Sequence, residues 1–193
     1  MKRIKLPDAF IHPRSNQLAH GHAGRMAEVK MFHILQQTVD PDVRWATKNE
    51  NIYKKYDIVS SIELYGKMDI KAEKEALTKG TIWIEYQNGD GKDGWIYGQA
   101  DYIVFDLFTE YLAIDRVWLQ LITDKLTKET VFTGDYQIYN KYVPKYQALY
   151  KPYRRSGRKD ILTKIKLEDI YYTPSWKIDI PLNLQKDQYR TNT

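Results

Sequence analysis

Residues 56–102 carry the pattern from which the fold is predicted: YDIVSSIELYGKMDIKAEKEALTKGTIWIEYQNGDGKDGWIYGQADY. Four charged side chains interrupt its strand-like apolar runs, namely Asp57, Asp69, Lys71 and Glu85. Because successive side chains of a strand point to opposite faces, we expect Asp69 and Lys71 to share one face. A carboxylate on one strand and a carboxylate-x-lysine on the next can hold a divalent metal ion beside a phosphodiester.

Three strands are predicted in this stretch, at residues 56–63, 67–74 and 81–87. Gly66 marks the turn between the first two, and Gly80 ends the turn before the third. The glycine-rich residues 88–94 lack the spacing of a nucleotide-binding loop, so we expect a turn there.

Upstream, residues 25–37 predict an amphipathic helix, because Met31, Phe32 and Leu35 recur at helical spacing. Glu28 projects from the middle of that apolar stripe, where a carboxylate is costly unless it is paired or bound to a metal. Two interpretations remain open. Glu28 helps to complete a metal site, or it is a structural residue that pairs with a buried arginine or serves the helix N-terminus.

The length of 193 residues suits one domain with a single core. We expect an extended arm over residues 1–23, a domain over residues 24–180 and a flexible polar tail over residues 181–193. The other predicted elements of the domain are strands at 43–47, 100–107, 111–115 and 160–170 (the last an edge strand), a loop at 48–55, and helices at 117–126 and 136–150.

The charge balance favours an anionic partner, since the net charge is +5 and the pI is near 9.1. Four basic residues crowd one predicted loop, Arg154, Arg155, Arg158 and Lys159. They are candidates for phosphate contacts, or they form a solvated charge run at a turn. The absence of cysteine fits a reducing cytoplasm, and no apolar run approaches the ~20 residues that a membrane helix needs.

The central stretch suggests a magnesium site. Asp57 and Asp69 could supply the carboxylates, and the backbone carbonyl of Ile70 a third oxygen. Such a metal would activate a water and stabilise charge on the attacked phosphorus, while Lys71 positions that water and stabilises the developing negative charge. Glu28 or Glu85 could bind a second metal or orient a ligand.

The order of these residues resembles the PD-(D/E)XK nuclease superfamily: Glu28 on a helix, Asp57 on a strand, and Asp69-Ile70-Lys71 on the next strand. Residues 78–107 are similar to the continuation found in phage and mobile-element members, and residues 157–170 to their terminal strand. The resemblance implies an α/β fold with a central mixed β-sheet flanked by helices, as in restriction endonucleases. It also implies cleavage of DNA with Mg²⁺, or with Mn²⁺ as a substitute.

By this resemblance the catalytic residues are Asp57, Asp69, Lys71, Glu28 and Glu85, and the metal ligands are Asp57, Asp69 and Glu28. The register is open, because Glu85-Tyr86-Gln87 could be the carboxylate-x-lysine motif with glutamine in place of lysine. Asp69 belongs to both registers. No proline precedes Asp57, a departure at a loosely kept position.

The sequence thus predicts a metal-dependent DNA endonuclease that hydrolyses phosphodiester bonds through a metal-activated water. An alternative is a catalytically inactive module with the nuclease fold that binds DNA or protein as an inhibitor or recruiter. A third, an unrelated α/β enzyme acting on anionic small molecules, is disfavoured because no nucleotide loop, nucleophile motif or histidine-centred triad occurs. We expect DNA as the partner, with no membrane, and leave a homodimer open.

Overall fold

A computed structural model describes residues 18–127 and 142–181, with only the backbone for residues 18–22, 74 and 77. The helices and strands follow the order α1 (Leu18–Thr38), β1 (Arg44–Trp45), β2 (Ile58–Val59), β3 (Lys67–Ala72), α2 (Lys74–Lys79), β4 (Thr81–Gln87), β5 (Tyr102–Asp106), β6 (Glu110–Asp115), α3 (Arg116–Thr127), β7 (Ile161–Lys166) and β8 (Ser175–Asp179). None of the helices in these residues has the length and apolarity that crossing a membrane requires.

Six strands form the central sheet in the order β1-β2-β3-β5-β6-β8. The sheet is mixed, because β3 and β5 run parallel and every other neighbouring pair is antiparallel. The predicted α/β class with a central mixed sheet is therefore confirmed. β4 and β7 form a separate antiparallel pair.

Strand alternation divides the core into two layers. One face of the sheet packs Met68 and Ile70 of β3 against Met31 and Leu35 of α1. The other face packs side chains of β5 and β6 against Leu119 of α3 and against the inner face of the two-stranded sheet. Asp69 and Lys71 alternate with Met68 and Ile70, so they lie on the side away from α1.

The helix predicted at residues 25–37 is confirmed, but it begins earlier than expected. Residues 18–23, predicted as part of an extended arm, form the first turns of α1, even though Gly21 and Gly24 lower the local helix propensity. The arm prediction was wrong for these residues. Residues 1–17 of that arm and residues 182–193 of the predicted tail lie outside the described residues.

Segments near the C-terminal half of the domain differ most from prediction. Residues 142–150 contain only one short turn, Lys145–Gln147, rather than a helix, because their backbone pairs with β7 instead. Tyr150 N donates to the Lys164 carbonyl, and Lys164 N donates to the Ala148 carbonyl. β7 therefore has hydrogen-bonded neighbours along both of its edges and is not the predicted edge strand. The predicted helical residues 136–141 lie outside the described residues, and β8 was not predicted.

Two smaller corrections concern the segments around the first hairpin. The predicted loop at 48–55 contains a π-helical turn, Glu50–Lys54. The strand predicted at 67–74 ends at Ala72, because α2 begins two residues later. Gly66 does occupy the turn between β2 and β3 with a left-handed φ of 49°, as a glycine readily does.

Candidate active site

The centre of the candidate site lies on β3. Asp69 is only 4 % exposed, and the Lys71 ammonium lies 2.7 Å from its Oδ1 atom. The Lys71 side chain keeps 24 % of its surface exposed. The expectation that these two side chains share a face is confirmed by this contact.

Asp57 approaches Asp69 from the neighbouring strand. The antiparallel pairing of β2 with β3 sets Ile58 opposite Met68, which brings the preceding residue, Asp57, over β3. Its Oδ2 atom accepts a hydrogen bond from Ile70 N (2.8 Å), and its Oδ1 atom accepts one from Asn51 Nδ2 (2.6 Å). Both oxygens of Asp57 are therefore held in place by donors.

The electrostatics at Asp69 are unfavourable for its charged form. Burial raises the pKa of the Asp69 carboxyl well above its usual range; Lys71 opposes this effect and Asp57 adds to it. No N–H or O–H group of the described residues donates to its buried Oδ2 atom, and the Asp57 carboxylate lies within hydrogen-bonding reach of the Asp69 carboxyl. Two carboxylates this close repel each other unless a proton or a cation lies between them, and a hard cation would serve both. Asp57 and Asp69 thus fit a divalent ion such as Mg²⁺.

Lys71 is held as a cation. Burial lowers its pKa, but the nearby carboxylates of Asp69 and Asp57 outweigh that effect, so the pKa of Lys71 is raised overall. Its ammonium also lies 5.2 Å from the centre of the Trp95 ring, within the range of a cation–π contact. Lys71 therefore presents a fixed positive charge beside the two aspartates.

Glu28 lies at the margin of this pair. Burial and the Asp57 charge raise the pKa of Glu28 to about 7, although Arg25 lies 2.7 Å away and opposes the shift. Because α1 begins at Leu18, Glu28 is far from the helix N-terminus, and that interpretation was wrong. The pairing with an arginine is confirmed. The effect of the Asp57 charge on Glu28 shows that the two carboxylates lie near each other.

The described residues contain no group of three His, Cys, Asp or Glu side chains close enough together to hold a metal ion. The predicted ligand Glu28 therefore does not form a three-carboxylate cluster with Asp57 and Asp69 in this structure. A cation held by the two aspartates would take its remaining ligands from water, a backbone carbonyl or substrate, which is the usual coordination of Mg²⁺ in proteins.

Glu85 reaches the site from β4, in the other sheet. Burial raises its pKa, while Lys71, Arg155 and Lys55 oppose that rise. The irregular pairing of β4 with β7 between Glu85 and Gln87 is a bulge, a feature that can redirect side chains near active sites. Gln87 donates to the Lys159 carbonyl instead (2.7 Å). Lys71 contacts Asp69 directly, so the side chain beside the buried aspartate is a lysine, whereas Gln87 points to the basic loop.

Gly94 and Trp95 complete the wall around Glu85, and the sequence prediction gave them no role. The Trp95 backbone N–H donates to the Glu85 carboxylate. Gly94 passes so close to β4 that a Cβ atom there would lie 2.0 Å from the Glu85 carbonyl oxygen. The Gly-Trp pair after a glycine-rich turn was the available signal for this close approach.

Glu73 and Lys55 are two further charged residues that the sequence prediction missed. Glu73 follows Asp69 and Lys71 at two-residue spacing, and burial raises its pKa to about 8, although the Trp83 backbone N–H donates to it. Lys55 donates to the Gly94 carbonyl (2.9 Å) from a left-handed backbone conformation, φ 59°. Left-handed non-glycine residues are uncommon and occur preferentially at functional sites.

The basic loop borders Glu85. Arg155 pairs with the buried Asp160, and its Nη2 atom lies 3.9 Å from Glu85 Oε2. Arg154 stacks on the Tyr142 ring at 4.1 Å, while Arg158 and Lys159 are exposed beside the 88–94 turn. Of the four predicted basic residues, the structure therefore brings Arg155 next to a predicted acid, Glu85.

Comparison with protein-family models finds no match for this chain, and comparisons with curated proteins and with solved structures find none either. The functional assignment therefore depends on the site itself. Its chemistry is that of two close carboxylates and a protonated lysine, with further acids and arginines around them. Such a set can bind a divalent cation and an anionic ester together.

Proposed function

We propose that this protein is a Mg²⁺-dependent DNA endonuclease that hydrolyses phosphodiester bonds, with Mn²⁺ as a substitute metal. The observation that carries the proposal is the arrangement at Asp69. One carboxylate oxygen lies 2.7 Å from the Lys71 ammonium, the other receives no N–H or O–H donor, and the Asp57 carboxylate is close enough to raise the pKa of Asp69. This arrangement supports binding of a cation next to a lysine, and the two positive charges together would stabilise the transition state of phosphodiester hydrolysis.

Asp57 and Asp69 would hold the metal, which when bound activates a water and stabilises charge on phosphorus. Asn51 and the Ile70 N–H fix the orientation of Asp57. Lys71, held by Asp69 and by the Trp95 ring, presents its ammonium to the negative charge that develops on the phosphate.

The basic loop would bind the phosphate backbone of DNA. Arg155 lies closest to the acids, and Arg158 and Lys159 are exposed on the same loop. Contacts of this kind are made to phosphates and release counterions, so affinity is expected to fall as the salt concentration rises.

The test is cleavage of supercoiled plasmid and of branched DNA, with and without Mg²⁺. Asp69→Ala and Lys71→Ala are expected to reduce the rate by about 100-fold or more, since each removes a charge that acts on the transition state. Lys67→Ala is the matched control, because Lys67 is an exposed lysine of the same strand. Cleavage by both variants at the parental rate, or equal cleavage by the wild type in EDTA, would contradict the proposal.

A second candidate is a catalytically inactive protein with the same site that binds DNA or another protein. The observation in its favour is that no three acidic or histidine side chains of the described residues are close enough to hold a metal. It predicts DNA binding without cleavage and no retention of Mn²⁺ at Asp57 and Asp69. Calorimetric titration with Mn²⁺, compared between the wild type and Asp69→Asn, separates the two candidates.

A further inference from the structure

The outer face of the β4–β7 pair carries an aromatic–cation patch, made of Trp83, Tyr153, Lys145 and Lys164. Trp83 and Lys164 are direct cross-strand partners, and the lysine ammonium lies 4.5 Å from the centre of the indole ring. Lys145 Nζ lies 5.9 Å from the same ring, and the Tyr153 ring centre lies 5.6 Å from it at an angle of 43°.

Core packing does not require these aromatic rings. Ile82 and Ile84, on either side of Trp83 in β4, are fully buried and supply the core contacts of the strand, whereas Trp83 points to the opposite face and is only partly buried.

Within the patch, Lys164 is buried and its ammonium pairs with Glu75, whereas the side chain of Lys145 is 62 % exposed and lies 3.9 Å from the same carboxylate. The neighbouring Tyr146 is 82 % exposed. Aromatic rings beside an exposed cation are the components of surfaces that stack nucleic-acid bases.

The patch adjoins the candidate active site. The Trp83 backbone N–H donates to Glu73, which follows Lys71 by two residues. Glu85 lies two residues beyond Trp83 on the same face of β4, a distance of about 7 Å along a strand. Arg155, two residues after Tyr153 of the patch, places its Nη2 atom 3.9 Å from Glu85 Oε2.

We propose that Trp83, with Tyr153, stacks unpaired bases while the exposed Lys145 contacts an adjoining phosphate. The substrates would then be DNA molecules with a single-stranded segment next to the scissile phosphate. The reason is that bases in an intact duplex already stack on one another and present no free face to an aromatic ring, whereas their phosphates are equally available in both forms. The claim about substrate rests on the proposed nuclease function. The claim about binding does not.

The binding test uses the full chain in EDTA and a fluorescein-labelled oligonucleotide, either single-stranded or annealed to its complement. Trp83→Ala is expected to weaken single-strand binding about 5- to 150-fold, because stacking on one aromatic ring contributes about 1–3 kcal/mol per base. Duplex binding should change little. Trp118→Ala is the matched control, since Trp118 is 50 % exposed on α3.

A second readout covers the case in which Trp83→Ala does not fold. Trp83→Phe keeps a ring at this position, so it should retain most of the single-strand affinity. It should also lose much of the tryptophan fluorescence quenching that the single strand causes, whereas Trp118→Phe should keep that quenching. Equal quenching in both phenylalanine variants would overturn the inference, as would equal affinity of the wild type for single strand and duplex.

The two proposals fail separately. If no DNA is cleaved with Mg²⁺ but the Trp83 variants still bind single strands poorly, the nuclease function is wrong and the stacking surface stands. If plasmid is cleaved through Asp69 but changes at Trp83 leave single-strand binding and the preference for branched DNA unaltered, the stacking surface is wrong and the nuclease function stands.

Discussion

Buried acids dominate the candidate site at the scale of single residues. Burial is the main cause of the raised pKa of Asp69, of Glu28 and of Glu73. Acids whose pKa is raised in this way are typical of functional sites, because a bound cation or substrate can stabilise the charged form that burial disfavours. Glu73 is the most informative of these acids, since the described structure shows no ion pair at its carboxylate.

Replacing Glu73 by glutamine is expected to stabilise the protein at high pH. The pKa of Glu73 is about 8 in the folded state, against an ordinary value of 4.5, so its contribution to stability falls as the pH rises from 4.5 through 8. A glutamine at this position does not ionise, so its contribution to stability does not fall as the pH rises. We expect Glu73→Gln to exceed the wild type by up to about 5 kcal/mol in free energy of unfolding at alkaline pH, and to match it at about pH 4 or below.

Urea unfolding at several pH values measures this difference. Glu168→Gln is the control, because Glu168 is exposed and pairs only with the exposed Lys166, so its removal should leave the pH dependence unchanged. A Glu73→Gln curve that runs parallel to the wild-type curve would show that Glu73 is ionised normally in the folded protein.

At the scale of elements, the site depends on how closely the turn after β4 returns to that strand. Gly94→Ala places a methyl group against the Glu85 carbonyl oxygen, so the chain must move. Since overpacking costs about 1–3 kcal/mol, we expect a loss of that size in unfolding free energy. Displacement of Trp95 should also withdraw its N–H from Glu85 and its ring from Lys71, and so reduce any Mg²⁺-dependent cleavage.

Gly89→Ala is the matched control in the same turn. A Cβ atom at Gly89 would meet the Arg158 side chain at 3.6 Å, an ordinary contact, and so should be tolerated. Thermal unfolding and the plasmid assay measure both variants. If Gly94→Ala were as stable and active as Gly89→Ala, the close approach of this turn would have no part in the site.

The sequence alone predicts the elements whose pattern lies within a short stretch of neighbouring residues. Alternation on β3 places Asp69 and Lys71 on one face, and helical spacing predicts most of α1. The pairing of β4 with β7 joins residues about 80 positions apart, and no local pattern specifies such a partner. The roles of Trp95, Lys55 and Glu73 depend on that pairing and on the turn that follows β4, so residue types alone did not reveal them.

At the scale of the whole molecule, α1 must be fixed relative to the sheet for Glu28 to lie beside Asp57. A buried ion pair joins them: Lys30 Nζ of α1 lies 2.8 Å from Asp106 Oδ2 of β5, with side-chain exposures of 6 % and 2 %. Tyr111 adds a second link, since its hydroxyl donates to the Ala27 carbonyl. These contacts anchor the helix next to the apolar layer it covers.

Asp106→Asn tests this anchor by leaving the Lys30 ammonium buried without its counter-charge. Removal of one partner of a buried pair costs about 3–5 kcal/mol. Glu110→Gln is the control: it breaks the more exposed pair of Glu110 with Lys177 and should cost at most about 1 kcal/mol.

The loss in Asp106→Asn should depend on pH. Burial lowers the pKa of Lys30 and Asp106 opposes that effect, so without Asp106 the lysine becomes neutral more easily and the loss shrinks as the pH rises. Adding Lys30→Met should restore much of the stability, because no buried charge then remains. Urea unfolding of Asp106→Asn, of Lys30→Met and of the double variant measures the coupling between the two residues. If Asp106→Asn lost no more unfolding free energy than Glu110→Gln, the pair would not hold α1 to the sheet.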